Sequence, residues 1–290
     1  MNGNSWIVLS PIEQSIKHKI EAVGKPLKDW DISINYGIKT GYNEAFIVTT
    51  EKKNEILDAC QSDEERSRTE EIFRPILRGR DIKRYSYEWA DLWLIATFPS
   101  RHYDIEQYPA LKQHLLSFGI ERLEQSGKEY IVDGHRIKAR KKTNNKWFET
   151  QDSISYWDDF NQPKIVWGEI SDRSKFAFDS DGQFVPEATS FLMVGKHLEF
   201  LCCLLNSNII EWYFSLIGTT TGVGTTRWKK YTLECIPAPL PEDDEHWQCL
   251  LNKLDTNLSG ISSIVEQINN DICHIFGLTE EECTYINDNC

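Results

Sequence analysis

The stretch Asp31-Ile32-Ser33-Ile34-Asn35-Tyr36-Gly37-Ile38-Lys39-Thr40-Gly41, followed by Ala45–Thr49, decides the class of fold. Asp31–Ile34 alternates polar and β-branched residues, the pattern of a half-buried strand, and it enters a turn carrying two glycines. Ala45–Thr49 predicts a second strand. Just upstream, Ser10-Pro11-Ile12-Glu13 sets a serine N-cap, a proline at the first helical position and a glutamate at N3. That is a capping box, which satisfies backbone donors otherwise left unpaired. Ile12, Ile16, Ile20 and Val23 then recur at helical spacing until Gly24 and Pro26 stop the helix. Downstream, Glu51–Phe73 alternates charge with helical patterning, and Pro75 and Gly79 punctuate its end. Helix, strand pair and helix in succession predict an α+β fold built on mixed sheet.

Further along, Ile82–Thr97 is rich in aromatic and β-branched residues and predicts two strands, and Asp104–Phe118 predicts a helix. Gly127–Asn145 is basic and polar, a long loop or hairpin. Lys164–Glu169 and Phe191–Val194 read as strands. His197–Ile217 is apolar almost all round, a buried helix or a helix pair broken at Asn206-Ser207-Asn208. The run Ile236-Pro237-Ala238-Pro239-Leu240-Pro241 marks a boundary, because proline continues neither a helix nor a central strand. It divides a body, residues 6–240, from a helical tail, residues 241–290. In the tail Trp247, Leu251, Leu254, Leu258, Ile261, Val265, Ile268, Ile272 and Ile275 form a seam of heptads, which Gly260 divides or leaves whole. Two partners fit such a seam: the chain's own body, or a second copy in a coiled coil.

The chain has 290 residues, of which 40% are hydrophobic and 12% aromatic, enough to bury a real core. Whole-chain disorder and rod-like folds are thereby excluded. No apolar run approaches the ~18 residues of a membrane span, and Met1–Leu9 lacks the pattern of an export signal. A cytoplasmic protein without membrane contact is expected, its eight cysteines buried as free thiols. The net charge of −13 argues against nucleic acid until it is located. Residues 241–290 hold eleven acids against the single base Lys253, so the tail carries all but three of those charges. Lys128–Trp147, by contrast, has seven bases against Glu129 and Asp133. A basic patch therefore survives inside a nearly neutral body.

Signs of catalysis are missing. The seven histidines form no metal-binding pair, and no phosphate-binding loop or nucleophile elbow is present. Gly222-Val223-Gly224 lacks the third glycine and the preceding strand of a nucleotide cradle. The residues read as those of a binder, with three candidate segments. In Gly37–Glu44, Lys39, Thr40, Tyr42 and Asn43 can donate to phosphate or base edges, or simply form a polar turn. In Arg136–Trp147, Arg136, Lys138, Arg140, Lys141, Lys142, Asn144, Asn145 and Lys146 interleave cations and amides, as duplex contact needs; the alternative is a solvated basic loop. In Gly218–Lys230, Thr220, Thr221, Thr225, Arg227, Lys229 and Lys230 can follow a phosphate backbone or brace a turn. Arg78 and Arg80 can reach phosphate, although Asp81 offers an internal ion pair.

At these segments the chain resembles a known family. The ordered set is Gly37-Ile38-Lys39-Thr40-Gly41-Tyr42-Asn43-Glu44-Ala45-Phe46, Leu77–Ile82, Pro163–Trp167, Thr189-Ser190-Phe191, Leu204-Leu205-Asn206-Ser207, Arg227–Tyr231 and Ile236–Pro239. It is similar to the TaqI-like C-terminal specificity domain of adenine-N6 DNA methyltransferases, found in type IIG restriction–modification enzymes and phage-exclusion systems. The resemblance spans roughly Trp6 to Phe276. It implies a target-recognition domain binding double-stranded DNA, with the helical tail as a spacer or docking element. It also implies that S-adenosylmethionine is held in a separate methyltransferase domain marked by an Asn-Pro-Pro-aromatic motif, which this chain lacks. No cofactor is expected here, and neither a metal nor a catalytic residue. The methyltransferase domain becomes a partner, in the same or a neighbouring chain. Met1 standing directly before the domain favours an excised fragment over a separately encoded subunit. Two rival classes are a protein–protein interaction module using the aromatic body and the heptad tail, and an enzyme with its own active site.

Overall fold

The computed structural model describes residues 9–220, 224–256 and 260–290. Its centre is an antiparallel sheet of Phe176–Asp179, Lys164–Gly168, Ser190–Gly195 and Ile32–Tyr36, in that order. Because successive strand residues point to opposite faces, each strand feeds two cores. Ile34, Ile165, Trp167, Phe176, Phe191 and Met193 face a layer of helices: Pro11–Val23, Leu198–Asn206, Asn208–Ile217, Asp244–Thr256 and Ile261–Ile275. Val166, Ala177, Leu192 and Val194 face a second sheet. That sheet runs Val185–Pro186, Phe73–Leu77, Leu92–Ile95 and Ile47–Thr49, with its first pair parallel and the rest antiparallel. Its far side buries Val48, Phe73 and Ile95 against the helices Thr50–Asp58, Asp63–Ile72 and Pro109–Leu116. The order of layers is helix, sheet, sheet, helix: an α+β fold with mixed sheet.

The two sheets meet at one corner. Gly37 N–H donates to the Ser190 carbonyl at 2.8 Å and Ile38 N–H to that of Pro186 at 2.9 Å. A Cβ on Gly37 would lie 2.0 Å from the Glu187 carbonyl oxygen. Only glycine lets these two chain segments cross so closely. One buried charge at the sheet end is matched: the Lys164 ammonium lies 2.6 Å from Asp179, which also accepts the backbone N–H groups of Gln183 and Phe184.

Several elements differ from the expectation. Asn43–Phe46 is one helical turn, so the second strand shrinks to Ile47–Thr49; burying Ala45 and Phe46 together outweighs their strand pattern. Glu51–Phe73 is two helices, because Ser62 caps the second one by accepting Glu65 N–H. Ile82–Thr97 yields a single strand, Leu92–Ile95, and an isolated bridge of Ile82 with Tyr87. Tyr85 and Asp91 take positive φ of 67° and 54°, which breaks extended pairing. Asp104–Phe118 becomes a short 3-10 turn and then the helix Pro109–Leu116. The basic stretch forms a hairpin, Glu129–Val132 with His135–Lys138, around Asp133-Gly134, both at positive φ.

The serine capping box and the break between Leu198–Asn206 and Asn208–Ile217 stand as expected. In the tail the heptad seam is not continuous. Trp247, Leu251 and Leu254 are buried in the first helix, and Leu258 falls outside the described residues. In the second helix Ile264, Ile268 and Ile272 are buried while the seam residue Ile261 is 40% exposed. Both helices sink into the core shared with Leu198–Ile217, so the seam's partner is the chain's own body. The last helix, Glu280–Asp288, is pinned to the first by Glu282, which accepts from Ser15 at 2.7 Å and pairs with Lys19 at 2.6 Å. All eight cysteines are free, with Cys235, Cys249 and Cys290 exposed and Cys202, Cys203 and Cys273 buried. Among the described residues no single helix is long and apolar enough to cross a membrane.

Candidate nucleic-acid interface

Each sheet sends a glycine to the same point. A Cβ on Gly168, at the end of a central strand, would lie 3.2 Å from Gly79 Cα, just past a strand of the second sheet. To one side opens a hollow of about 420 Å³ bordered by Lys83, Ser171, Asp172, Lys175 and Thr225. To the other opens one of about 520 Å³ bordered by Asn43, Glu44, Arg78 and Glu187. Gly79, Arg80 and Thr189 border both, so the two make one open cleft.

Arg78 is clamped on Asp81 through two guanidinium contacts, of 2.9 and 2.7 Å, and its backbone N–H reaches the same carboxylate. Burial alone would raise the Asp81 pKa, but these bonds outweigh it and hold the group below the usual aspartate value. Arg78 is therefore a strut of the cleft wall rather than a free clamp. Arg80 is different: it is exposed, and its guanidinium makes no hydrogen bond or ion pair among the described residues.

In the turn before the cleft the polar side chains bond to one another. Thr40 is buried; its hydroxyl accepts Tyr42 N–H at 3.1 Å and donates to Asn43 Oδ1 at 2.6 Å. Asn43 Nδ2 donates to Glu187 Oε1 at 2.7 Å. The Tyr42 ring stands edge-on to Phe118 and carries the Arg122 guanidinium 4.2 Å above its centre. Thr40 and Tyr42 are thus corrected to structural residues. Lys39 stays exposed and without a side-chain partner among the described residues, and Asn43 faces the cleft already oriented.

The basic segment divides the same way. Arg140 is only 2% exposed and donates to the carbonyls of Leu123, Thr40, Glu149 and Trp147 at 2.6–2.8 Å. Desolvation depresses its pKa to about 10. It nails the hairpin base to the Gly37–Glu44 turn and is corrected from a DNA contact to a core residue. Asn145 is corrected likewise: its amide donates to the Thr150 and Gln151 carbonyls and accepts from Ser153. Arg136 pairs with Glu129 at 3.2 Å, both exposed, and the Lys146 ammonium lies 5.4 Å from the Phe148 ring centre. Lys138, Lys141, Lys142 and Asn144 are exposed, with no side-chain partner among the described residues.

The third segment is partly strand. Thr219–Thr220 pairs with Thr226–Arg227, which pairs with Ile170–Ser171, bringing Thr225 to the cleft. Arg227 is tied to Glu169 at 2.8 Å. Lys230 donates to the Ile34 carbonyl at 2.7 Å, and Lys229 lies 5.7 Å from the Tyr231 ring centre. Arg227 and Lys230 are therefore braces, which corrects their reading as free phosphate clamps. Thr220 lies in the strand, and Thr221 falls outside the described residues. Cleft residues that the sequence did not single out are Lys83, Ser171, Lys175 and Glu187, while Thr189 entered only as part of a family-resemblance segment. The one sequence signal for Glu187 is position, three residues before the strand Ser190–Gly195. No group of three His, Cys, Asp or Glu side chains able to hold a metal occurs among the described residues.

These cleft segments are also where the chain meets known proteins. The model of the TaqI-like C-terminal specificity domain matches residues 74–238, which include the cleft residues from Arg78 through Thr225; Asn43, Glu44 and Ile47 join from outside. Among solved structures the chain is similar to the type IIL restriction-modification enzyme MmeI, determined in complex with DNA. Identity is 14% and TM-score 0.57, covering 91% of this chain and 36% of that one. It is also similar to the type IIG restriction endonuclease BpuSI, at 11% identity and TM-score 0.54, covering 93% of this chain and 33% of that one. At such identities the likeness is one of fold, and this chain spans about a third of either enzyme. No curated protein sequence matches. With the family model matched over more than half of its length, the chain belongs to the TaqI-like C-terminal specificity domain family.

Proposed function

We propose that this chain is the target-recognition domain of a restriction–modification adenine-N6 DNA methyltransferase, selecting the site on duplex DNA. One observation carries the reading. Segments distant in sequence, most of them inside the family match, converge on one open cleft whose polar groups are held in fixed orientation. Exposed cations with no side-chain partner among the described residues (Lys39, Arg80, Lys138, Lys141 and Lys142) belong to the cleft or to segments joined to it by Arg140. Free cations neutralise phosphates and set register, whereas oriented amides and carboxylates distinguish base edges. S-adenosylmethionine and methyl transfer belong, in this reading, to a separate methyltransferase domain, and no residue here is assigned to them. The tail, residues 241–290, serves as a spacer or docking element beside that domain.

The test is selection of binders by the chain from a randomised duplex library at low salt, followed by anisotropy titration of the winner. A single enriched sequence is expected. If about five phosphates are contacted, the log–log salt slope should lie near −4 to −5. No enrichment together with a slope near zero would overturn the reading. The same chain incubated with tritiated S-adenosylmethionine and genomic DNA should transfer no label.

A further inference from the structure

We infer that Asn43 and Glu187 act as one base-reading unit that selects adenine in the major groove; this rests on the DNA-recognition reading above. The argument is a count of hydrogen-bonding positions. A neutral amide offers two N–H donors and one carbonyl oxygen, and a carboxylate only accepts. Asn43 spends one N–H on Glu187 Oε1 and receives the Thr40 hydroxyl on Oδ1. One N–H of Asn43 and the second oxygen of Glu187 have no partner among the described residues, and both side chains line the same hollow. No cation lies within ion-pair distance of Glu187 among the described residues; Arg78 senses its charge but is clamped on Asp81.

A donor beside an acceptor demands the reverse pattern from a base edge. Adenine presents it, an acceptor at N7 next to the N6 amino donor. Guanine presents two acceptors, and a carboxylate repels both. Cytosine and thymine satisfy only one member of the pair.

The pair is also rigidly held. Glu187 N–H donates to the Leu77 carbonyl and the Glu187 carbonyl accepts Ser190 N–H, each at 2.8 Å, at the corner where the two sheets cross. Asn43 opens a helical turn whose last two residues, Ala45 and Phe46, are fully buried. Side chains fixed from behind keep the geometry that a base contact requires.

The test repeats the library selection with Glu187→Gln, Glu187→Ala and Asn43→Ala in the full chain, with melting curves alongside. Wild type should select a site containing an adenine. Glu187→Gln keeps an oxygen for Asn43 but turns the outward acceptor into a donor. Preference at that one position should therefore switch from adenine to guanine, a change of roughly 5- to 150-fold in the ratio of the two. Both alanine variants should lose preference at the same position and keep it elsewhere. Lower melting temperature with an unchanged selected sequence in all three variants overturns the inference and leaves the DNA reading standing. So does loss of preference at different positions, or a base other than adenine at the shared one. A wild-type chain that selects nothing overturns the DNA reading itself.

Discussion

The cleft wall and the basic segment are both dense in polar side chains, yet they are built oppositely. Around the cleft, most polar groups are pinned, with Arg80 the exception: Arg78 on Asp81, Arg227 on Glu169, Asn43 on Glu187. In the basic segment, Lys138, Lys141 and Lys142 stand free among the described residues, beside one arginine, Arg140, that is committed inward. Paired groups have direction but little net charge, while free lysines have charge but no fixed direction. The difference teaches a division of labour. A surface that reads a base must hold its donors still, and one that grips a phosphate need only supply a cation.

The most severe way to break the comparison is through Arg140. Arg140→Met takes a donor from four carbonyl groups, of which only that of Glu149 keeps another in Gln125, and stability should fall by about 3–5 kcal/mol. A melting curve checks this, and a drop no larger than that of Lys141→Ala would return Arg140 to the surface cations. Gly37→Ala attacks the other region, since its Cβ would overlap the Glu187 carbonyl oxygen. A loss of about 2–3 kcal/mol is expected, together with blurred site selection, while the salt slope stays as it is.

Lys141→Ala with Lys142→Ala sharpens the contrast from the opposite side. The salt slope should become shallower by about two units, so binding lost between 50 and 200 mM salt shrinks about tenfold, with the selected sequence unchanged. Altered selection in that variant would show that these lysines read as well as grip. The smallest effect is in acid. Asp81 has a depressed pKa when folded, so it stabilises the cleft above the ordinary aspartate value of 3.8 and loses that contribution as pH falls through its lower folded value. Melting temperatures taken from pH 5 to pH 3 should fall more steeply for wild type than for Asp81→Asn; parallel curves would remove Asp81 from the acid response.

Much of the fold could be read locally. The Ser10 capping box, the helix pair broken at Asn206-Ser207-Asn208 and the strand Lys164–Gly168 depend on near neighbours alone. The errors fell where distant packing overrode local pattern. Ala45 and Phe46 look like strand residues and became a helical turn over a buried core. The tail seam kept its spacing in sequence, but the helix that starts after Gly260 buries Ile264 and leaves Ile261 exposed. In the candidate site, residue type identified Lys39, Arg80, Lys141 and Lys142 as exposed cations without revealing that Arg140, adjacent to Lys141, is a core residue.

The amino-acid sequence by itself determined the α+β class, the family and the placement of charge, because helix caps, strand alternation and cation spacing act over a few residues. Only the tertiary structure decided which polar groups are free. Whether an arginine grips DNA or holds four carbonyls, and whether Asn43 stands alone or shares a hydrogen bond with Glu187, depends on partners up to 144 residues away along the chain. A hydrogen bond forms only where donor and acceptor come within about 3 Å, and chain separation says nothing about that distance until the sheets have crossed.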